Sequence, residues 1–303
     1  MVKGGPAALR LLDWRRNGTK IIDTMTKRLT ADQVTTYRRD GFVYPIPVMK
    51  PDEAEEFRQA LESFEREHPD YMSGMKRQKL HLVTTWMAEL VRRPEILDAV
   101  EDILGPDFLC WQTSLFIKEA KDPGFVSWHQ DGNYWGLSSN EVVTAWLALS
   151  PSTVESGCMK MMPGSHEWDG IEHKDTFDED NLLTRGQVMD IQMDEAKAAD
   201  VVVRTGEISL HHVNIAHSSA PNQADDRRIG IAMRYVTPRV KQVTGVPDSA
   251  TLVRGTDTVG NFEAEPAPTY DFEPAAVALH ERVTNTRSDF IYKDAEQRPG
   301  AAE

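Results

Sequence analysis

A chain of 303 residues, 40% hydrophobic and 27% charged, can bury one large core. Its formal net charge of −14 argues against tracking along a phosphate backbone or lying on an anionic membrane. Cys110 and Cys158 form no CxxC pair and are too few for a disulfide framework, which points to a reducing cytoplasm, and no apolar run reaches the length of a membrane span.

Residues 1–28 are basic but lack a clean apolar stretch, so they read as an N-terminal arm rather than a secretory signal, with Met25 as an alternative start. Ordered chain is expected from LTADQVTTYRRDGF, where Thr30 and Gln33 have capping-box spacing and Gly41 stops the helix. VYPIPV carries two prolines and can be only an edge strand. Helices are expected from Pro51 to about His68 and through RRPEILDAVEDILGP, ending at Gly105. From Phe108 the texture changes to short β-rich runs: FLCWQTSLFIKEA, FVSWHQD, VVTAWLALS, CMKMMPGSH, ADVVVRTGEISLHHV and RRIGIAMRYVTP. Such a series without intervening helices argues for an antiparallel sandwich or barrel. After Pro238 the chain turns acidic and proline-containing and ends in a helical run, PAAVALHERV, expected to cap the strands.

The run FVSWHQDGNYWGL holds the first chemistry. On a strand, His129 and Asp131 share a face while Trp128 and Gln130 take the other. An imidazole and a carboxylate together are two ligands for a divalent metal, or a hydrogen-bonded pair in a polar core. Of the other histidines, His68 and His280 fall in probable helices and read as surface residues. His81 and His173 sit in polar surroundings without an evident partner, and His166 braces the turn PGSH. In HHVNIAHSSAPN, His211 and His212 point to opposite faces, and His217 ends the strand before a turn. A hairpin at that turn would place Arg227 or, preferably, Arg228 across from His217, in the same cavity; an exposed ion pair with Asp225 or Asp226 is the plainer role for Arg228. A guanidinium fork matches a carboxylate bidentately. Two histidines and one carboxylate on one face of a metal are the facial triad of non-haem Fe(II) oxygenases.

Taken in order, WHQD, GCMKMMPGSH, His217 followed by SxPN, and an arginine eleven residues on resemble the phytanoyl-CoA dioxygenase family of Fe(II)/2-oxoglutarate oxygenases, over roughly residues 30–240. The resemblance implies a double-stranded β-helix (jelly-roll, cupin-like), mainly β with flanking helices. The oxygenase domain would then span residues 29–240 and a C-terminal cap segment residues 241–303. The resemblance implies His129, Asp131 and His217 as iron ligands. It implies Arg228 as the residue that binds the far carboxylate of 2-oxoglutarate, supported by Ser219. The activity it implies is hydroxylation of a small polar metabolite by O2, with release of succinate and CO2. Halogenating relatives lack the metal carboxylate, and Asp131 is present here. LHH before the distal histidine and YWGLSSNEVVTAWLALS are further similar to a bacterial subgroup that hydroxylates aminophosphonates and their N-methylated analogues.

On the strand at 111–118, Gln112, Ser114, Phe116 and Lys118 share one face and Trp111, Thr113, Leu115 and Ile117 the other. Gln112 and Lys118 are the expected polar handles for an anionic group in the cavity, with Lys118 in solvent at the strand mouth as the alternative. Asn133, Tyr134 and Trp135 are the candidate substrate wall, where an aromatic face could hold a quaternary ammonium. The expected partners are a small molecule and a second copy of the chain, not nucleic acid or a membrane. Two rival readings are a cupin-type zinc enzyme and a catalytically silent β-barrel binding protein. Neither needs Arg228 and Ser219.

Overall fold

Thr30 caps the first helix, α1 (Ala31–Asp40), through a complete capping box with Gln33, a device worth about 1 kcal/mol. Gly41 closes it in the left-handed conformation. The computed structural model describes residues 26–168 and 171–291; the arm expected at 1–28 therefore lies mostly outside the described residues. Its last part is fixed: the backbone N–H groups of Lys27, Arg28 and Leu29 all donate to the Asp102 carboxylate. The edge strand β1 (Phe42–Pro47) follows, then α2 (Pro51–Glu67), α3 (Thr85–Leu90) and α4 (Pro94–Leu104), with short 3-10 turns between Pro69 and Leu82.

The β-rich part comprises β2 (Phe108–Lys118), β3 (Val126–His129), the one-turn helix α5 (Gly132–Trp135), β4 (Val142–Ala148) and β5 (Met159–Met161). It continues with β6 (His173–Asp175), β7 (Gln187–Met189), β8 (Ala199–Val201), β9 (Glu207–His212), β10 (His217–Ser219) and β11 (Arg228–Val236). The chain ends in β12 (Ser249–Arg254), β13 (Glu263–Ala264) and α6 (Pro274–Ile291). Seven strands form one sheet in the order β1-β9-β4-β11-β2-β12-β13, and four form the facing sheet, β3-β10-β5-β8. The hairpin β6-β7 stands apart. This is a jelly-roll of two sheets, not a closed barrel.

Both faces of the large sheet are covered, which is why VVTAWLALS reads as an unbroken apolar run. Val143, Ala145 and Leu147 of β4 pack outward against helix residues such as Leu61, Leu90 and Val100. Trp146 and Ala148 face inward onto Met159, Met161 and Val201 of the small sheet. The segment expected as a cap does more than cover the sheet. Its strand β12 pairs antiparallel with β2 and lengthens the large sheet, while the acidic, proline-containing stretch after it contributes Glu265 to the core.

One register irregularity shapes the site. Along β11, Arg234 pairs with Gln112 and Tyr235 with Cys110, so Trp111 is skipped. This bulge breaks the alternation expected for the strand. Trp111 is turned into a cluster with Trp135 and Val213, whereas Leu115 keeps its place in the outer core.

Candidate active site

His129 and His217 face each other across the small sheet. They are direct partners in the antiparallel pairing of β10 with β3, and their rings lie 4.0 Å apart. His129 Nδ1 lies 2.9 Å from the Ser127 carbonyl and His217 Nδ1 lies 3.0 Å from the Ile215 carbonyl. A ring N–H at each Nδ1 donates to that carbonyl and leaves both Nε2 lone pairs for a ligand. Burial pushes His217 down to about 4, so it is neutral near pH 7.

Asp131 joins them by a route the strand pattern did not foresee. β3 stops at His129, and Asp131 is already in helical conformation at the start of α5. Gln130 still points away, donating to the Ser165 and Asn214 carbonyls. The Asp131 carboxylate lies 3.5 Å from His129 Nε2, and one ligand atom from each of the three residues falls within 4.8 Å of the others. Burial raises the Asp131 carboxyl, but the adjoining His129 ring and the charge of Arg234 outweigh it and hold the group below the ordinary carboxylate range. Two imidazoles and an ionised carboxylate, all buried, are a donor set suited to a divalent metal.

Arg228 and Lys118 lie further in. β11 does not form a hairpin with β10 as the turn residues suggested; it pairs with β2 and β4 in the opposite sheet. Arg228 therefore reaches the cluster from across the sandwich and lines an inner cavity together with His129, Asp131 and His217. Arg228 is 1% exposed; its Nη1 donates to the Gly157 carbonyl at 2.6 Å and its guanidinium lies over Trp146. Gly230 makes this arrangement fit, because a Cβ there would sit 1.8 Å from the Trp146 ring. It is Arg227 that forms ion pairs, with Glu65 and Glu119. Lys118 is fully buried rather than at a solvent mouth, and its Nζ donates to Ser219 Oγ at 2.8 Å and to the Ala220 carbonyl. Burial and the Arg228 charge push Lys118 down to about 7, and burial pushes Arg228 down to about 10.

Gln112 belongs to the other side of the cluster. It lines an outer cavity of about 220 Å³ together with Asn133, Tyr134 and Trp135, and its Nε2 donates to Gln78. The buried Gln112 Oε1 and Tyr134 Oη have no hydrogen-bond partner. The face of Trp135 expected to hold a quaternary ammonium is instead covered by Arg234, 4.8 Å from the ring centroid.

Arg234, Arg287 and His211 were missed as site residues. Arg234 lies six residues beyond Arg228 on one strand, so parity alone could have placed it on the cavity face. His211 is the inward member of its pair, 5.4 Å from His217, while the His212 ring packs on His166. No local pattern marks Arg287 on α6. Three histidines read otherwise from sequence are also reassigned. His280 is fully buried and contacts the Gln78 carbonyl, His81 is buried against Thr113 and Glu265, and His173 Nε2 accepts from the Gln130 N–H.

Fold and donor set together are a two-sheet jelly-roll with a buried His–Asp–His cluster suited to a divalent metal. The phytanoyl-CoA dioxygenase (PhyH) family profile matches residues 37–230, and the chain belongs to that family. It is 25% identical over 175 residues to a probable alpha-ketoglutarate-dependent hypophosphite dioxygenase of Stutzerimonas stutzeri, covering 57% of this chain and 60% of that protein. It is 28% identical over 159 residues to an ectoine dioxygenase of Nocardia farcinica, covering 47% and 53%. The chain thus spans between half and two thirds of these curated relatives. Among solved structures, the apo form of the non-heme monooxygenase ThoJ superposes with a TM-score of 0.78 at 36% identity, over 86% of this chain and 98% of that one. No helix among the described residues is long and apolar enough to cross a membrane.

Proposed function

We propose that the chain is an Fe(II)/2-oxoglutarate-dependent dioxygenase that hydroxylates a small polar metabolite, with His129, Asp131 and His217 as metal ligands. The observation that carries this reading is the pairing of that donor set with a buried basic end, Arg228 and Lys118 with Ser219, across one continuous cavity. The site fits iron: both histidines present Nε2, the carboxylate is ionised, and three donors leave positions open for a chelating co-substrate. When bound, iron and 2-oxoglutarate together activate O2, so that decarboxylation to succinate and CO2 accompanies conversion of a C–H to a C–OH.

The protein's own contribution is placement. Ser127 and Ile215 carbonyls fix the two imidazoles. Arg228 holds the far carboxylate of 2-oxoglutarate by its fork, Lys118 adds a second positive charge, and Ser219 offers its hydroxyl. Asp131 fills the coordination position that a halide would need, which favours hydroxylation. A zinc hydrolase or a silent binding protein would give the buried Arg228 and Lys118 no anion to meet. Relatives named for hypophosphite and ectoine fit a small polar substrate, and an aminophosphonate remains within that class. Two buried, unpaired cysteines suit a cytoplasmic setting.

Anaerobic titration of Fe(II) and 2-oxoglutarate tests the reading. A weak visible charge-transfer band should develop with both present and vanish in His217→Ala. A well-folded protein that gives no band sinks the assignment.

A further inference from the structure

The outer cavity beside the His–Asp–His cluster is walled by guanidinium groups. Arg77, Arg234 and Arg287 line it, and Asp131 is the only lining carboxylate among the described residues, in a chain whose net charge is −14. Arg185 also lines it but is bound to Asp175. Arg77 and Arg287 make no ion pair with a described carboxylate. Arg234 donates to Ser114 Oγ at 2.9 Å and stays 4.0 Å from Asp131.

Aromatic stacking positions two of these groups, Arg234 and Arg287. Arg287 lies 4.5 Å over Trp111, Trp111 and Trp135 are 5.2 Å apart, and Arg234 lies 4.8 Å over Trp135. The bulge that turns Trp111 inward is what makes the ladder. Stacking fixes the guanidinium planes without using their N–H groups, so the forks stay available to an acceptor. Burial lowers Arg77 and Arg287, the latter to about 10.

Resting on the oxygenase reading above, we propose that the substrate is a small anion whose carboxylate or phosphonate group is gripped by Arg77, Arg234 and Arg287. The rest of the molecule then extends toward His129 and Asp131, which line the same cavity. At about 220 Å³ the cavity admits such a metabolite.

The test is calorimetric titration of the full chain, loaded with Ni(II) and saturating 2-oxoglutarate so that the Arg228 end is filled. The probes are methylphosphonate, acetate and tetramethylammonium. One or both anions should bind and tetramethylammonium should not. The tighter anion tells phosphonate from carboxylate. Arg77→Met and Arg287→Met, on separate elements and away from the metal ligands, should each weaken binding roughly tenfold or more. The proposal is overturned if neither anion binds, if both variants bind as the wild type does, or if tetramethylammonium binds tightest. Loading is read in the same experiment. Intact loading without anion binding sinks the anion pocket alone, whereas anion binding to a chain that takes up neither Ni(II) nor 2-oxoglutarate sinks the oxygenase reading alone.

Discussion

Two buried charged centres in this molecule are built on opposite terms. Around Glu265 every group is answered: its carboxylate accepts from Lys79 Nζ, Ser249 Oγ and Thr251 Oγ1, and His81 Nε2 lies 3.4 Å away. Lys79 also donates to the Ser249 carbonyl. Burial raises the Glu265 carboxyl, but the Lys79 and His81 charges more than offset it. Among the described residues no carboxylate lies within ion-pair distance of Arg228 or Lys118. One carbonyl faces the guanidinium, and a hydroxyl and two carbonyls face the ammonium. Equal burial thus means different things. A charge paired within the chain holds the C-terminal segment against the 3-10 turns that carry Arg77 and Gln78, whereas a charge left unpaired is available to a ligand.

The contrast breaks most visibly at Glu265. Replacing it by Ala leaves Lys79 buried without its partner and should cost about 3–5 kcal/mol in chemical denaturation. Molecules that remain folded should bind 2-oxoglutarate as before. A small stability change would erase the distinction between the two centres. Next in size, Arg228→Met should weaken 2-oxoglutarate binding on the order of a hundredfold in calorimetric titration. The same variant should unfold at equal or higher denaturant than the wild type, since it removes an unpaired buried cation. Loss of stability on the scale of Glu265→Ala would instead make Arg228 a structural residue.

How much of this was readable from sequence depended on how local each cause is. His129, Asp131 and His217 were legible because HxD and a distal histidine before SxPN are short patterns. Even so, Asp131 arrives on a helical turn and not by strand alternation. The hairpin misplaced β11 because β9 ends at His212, and after a short crossing β10 resumes in the other sheet. The inward turn of Trp111 depends on a pairing register between two distant strands, which no residue type announces. Burial of His81 and His280 was equally hidden, since their partners Glu265 and Gln78 lie about 180 and 200 residues away along the chain. For Lys118 the alternation offered a cavity face or a solvent-exposed strand mouth, and only the fold shows that its side chain is sealed from solvent.

The finest version of the comparison is a proton. Lys118 is pushed down to about 7, against an ordinary lysine value of 10.5 in the unfolded chain. Between those values the unfolded chain binds the proton and the folded chain does not, so this residue makes stability rise as pH increases from about 7 toward 10.5. Below about 7 both states are protonated and the full cost of burying the charge is present. Lys118→Met should remove that cost, so its stability advantage over the wild type should be largest below pH 7 and shrink steadily above it in parallel denaturation series. A dicarboxylate at Arg228 reverses the local balance, because its negative charge favours protonated Lys118. Binding of 2-oxoglutarate at pH 8 should therefore take up part of a proton, seen as an apparent enthalpy that changes with the ionisation enthalpy of the buffer. The Met variant should lose that buffer dependence while keeping the grip of Arg228. Proton uptake that persists in the variant would place the linked group elsewhere and leave Lys118 a neutral wall of the cavity.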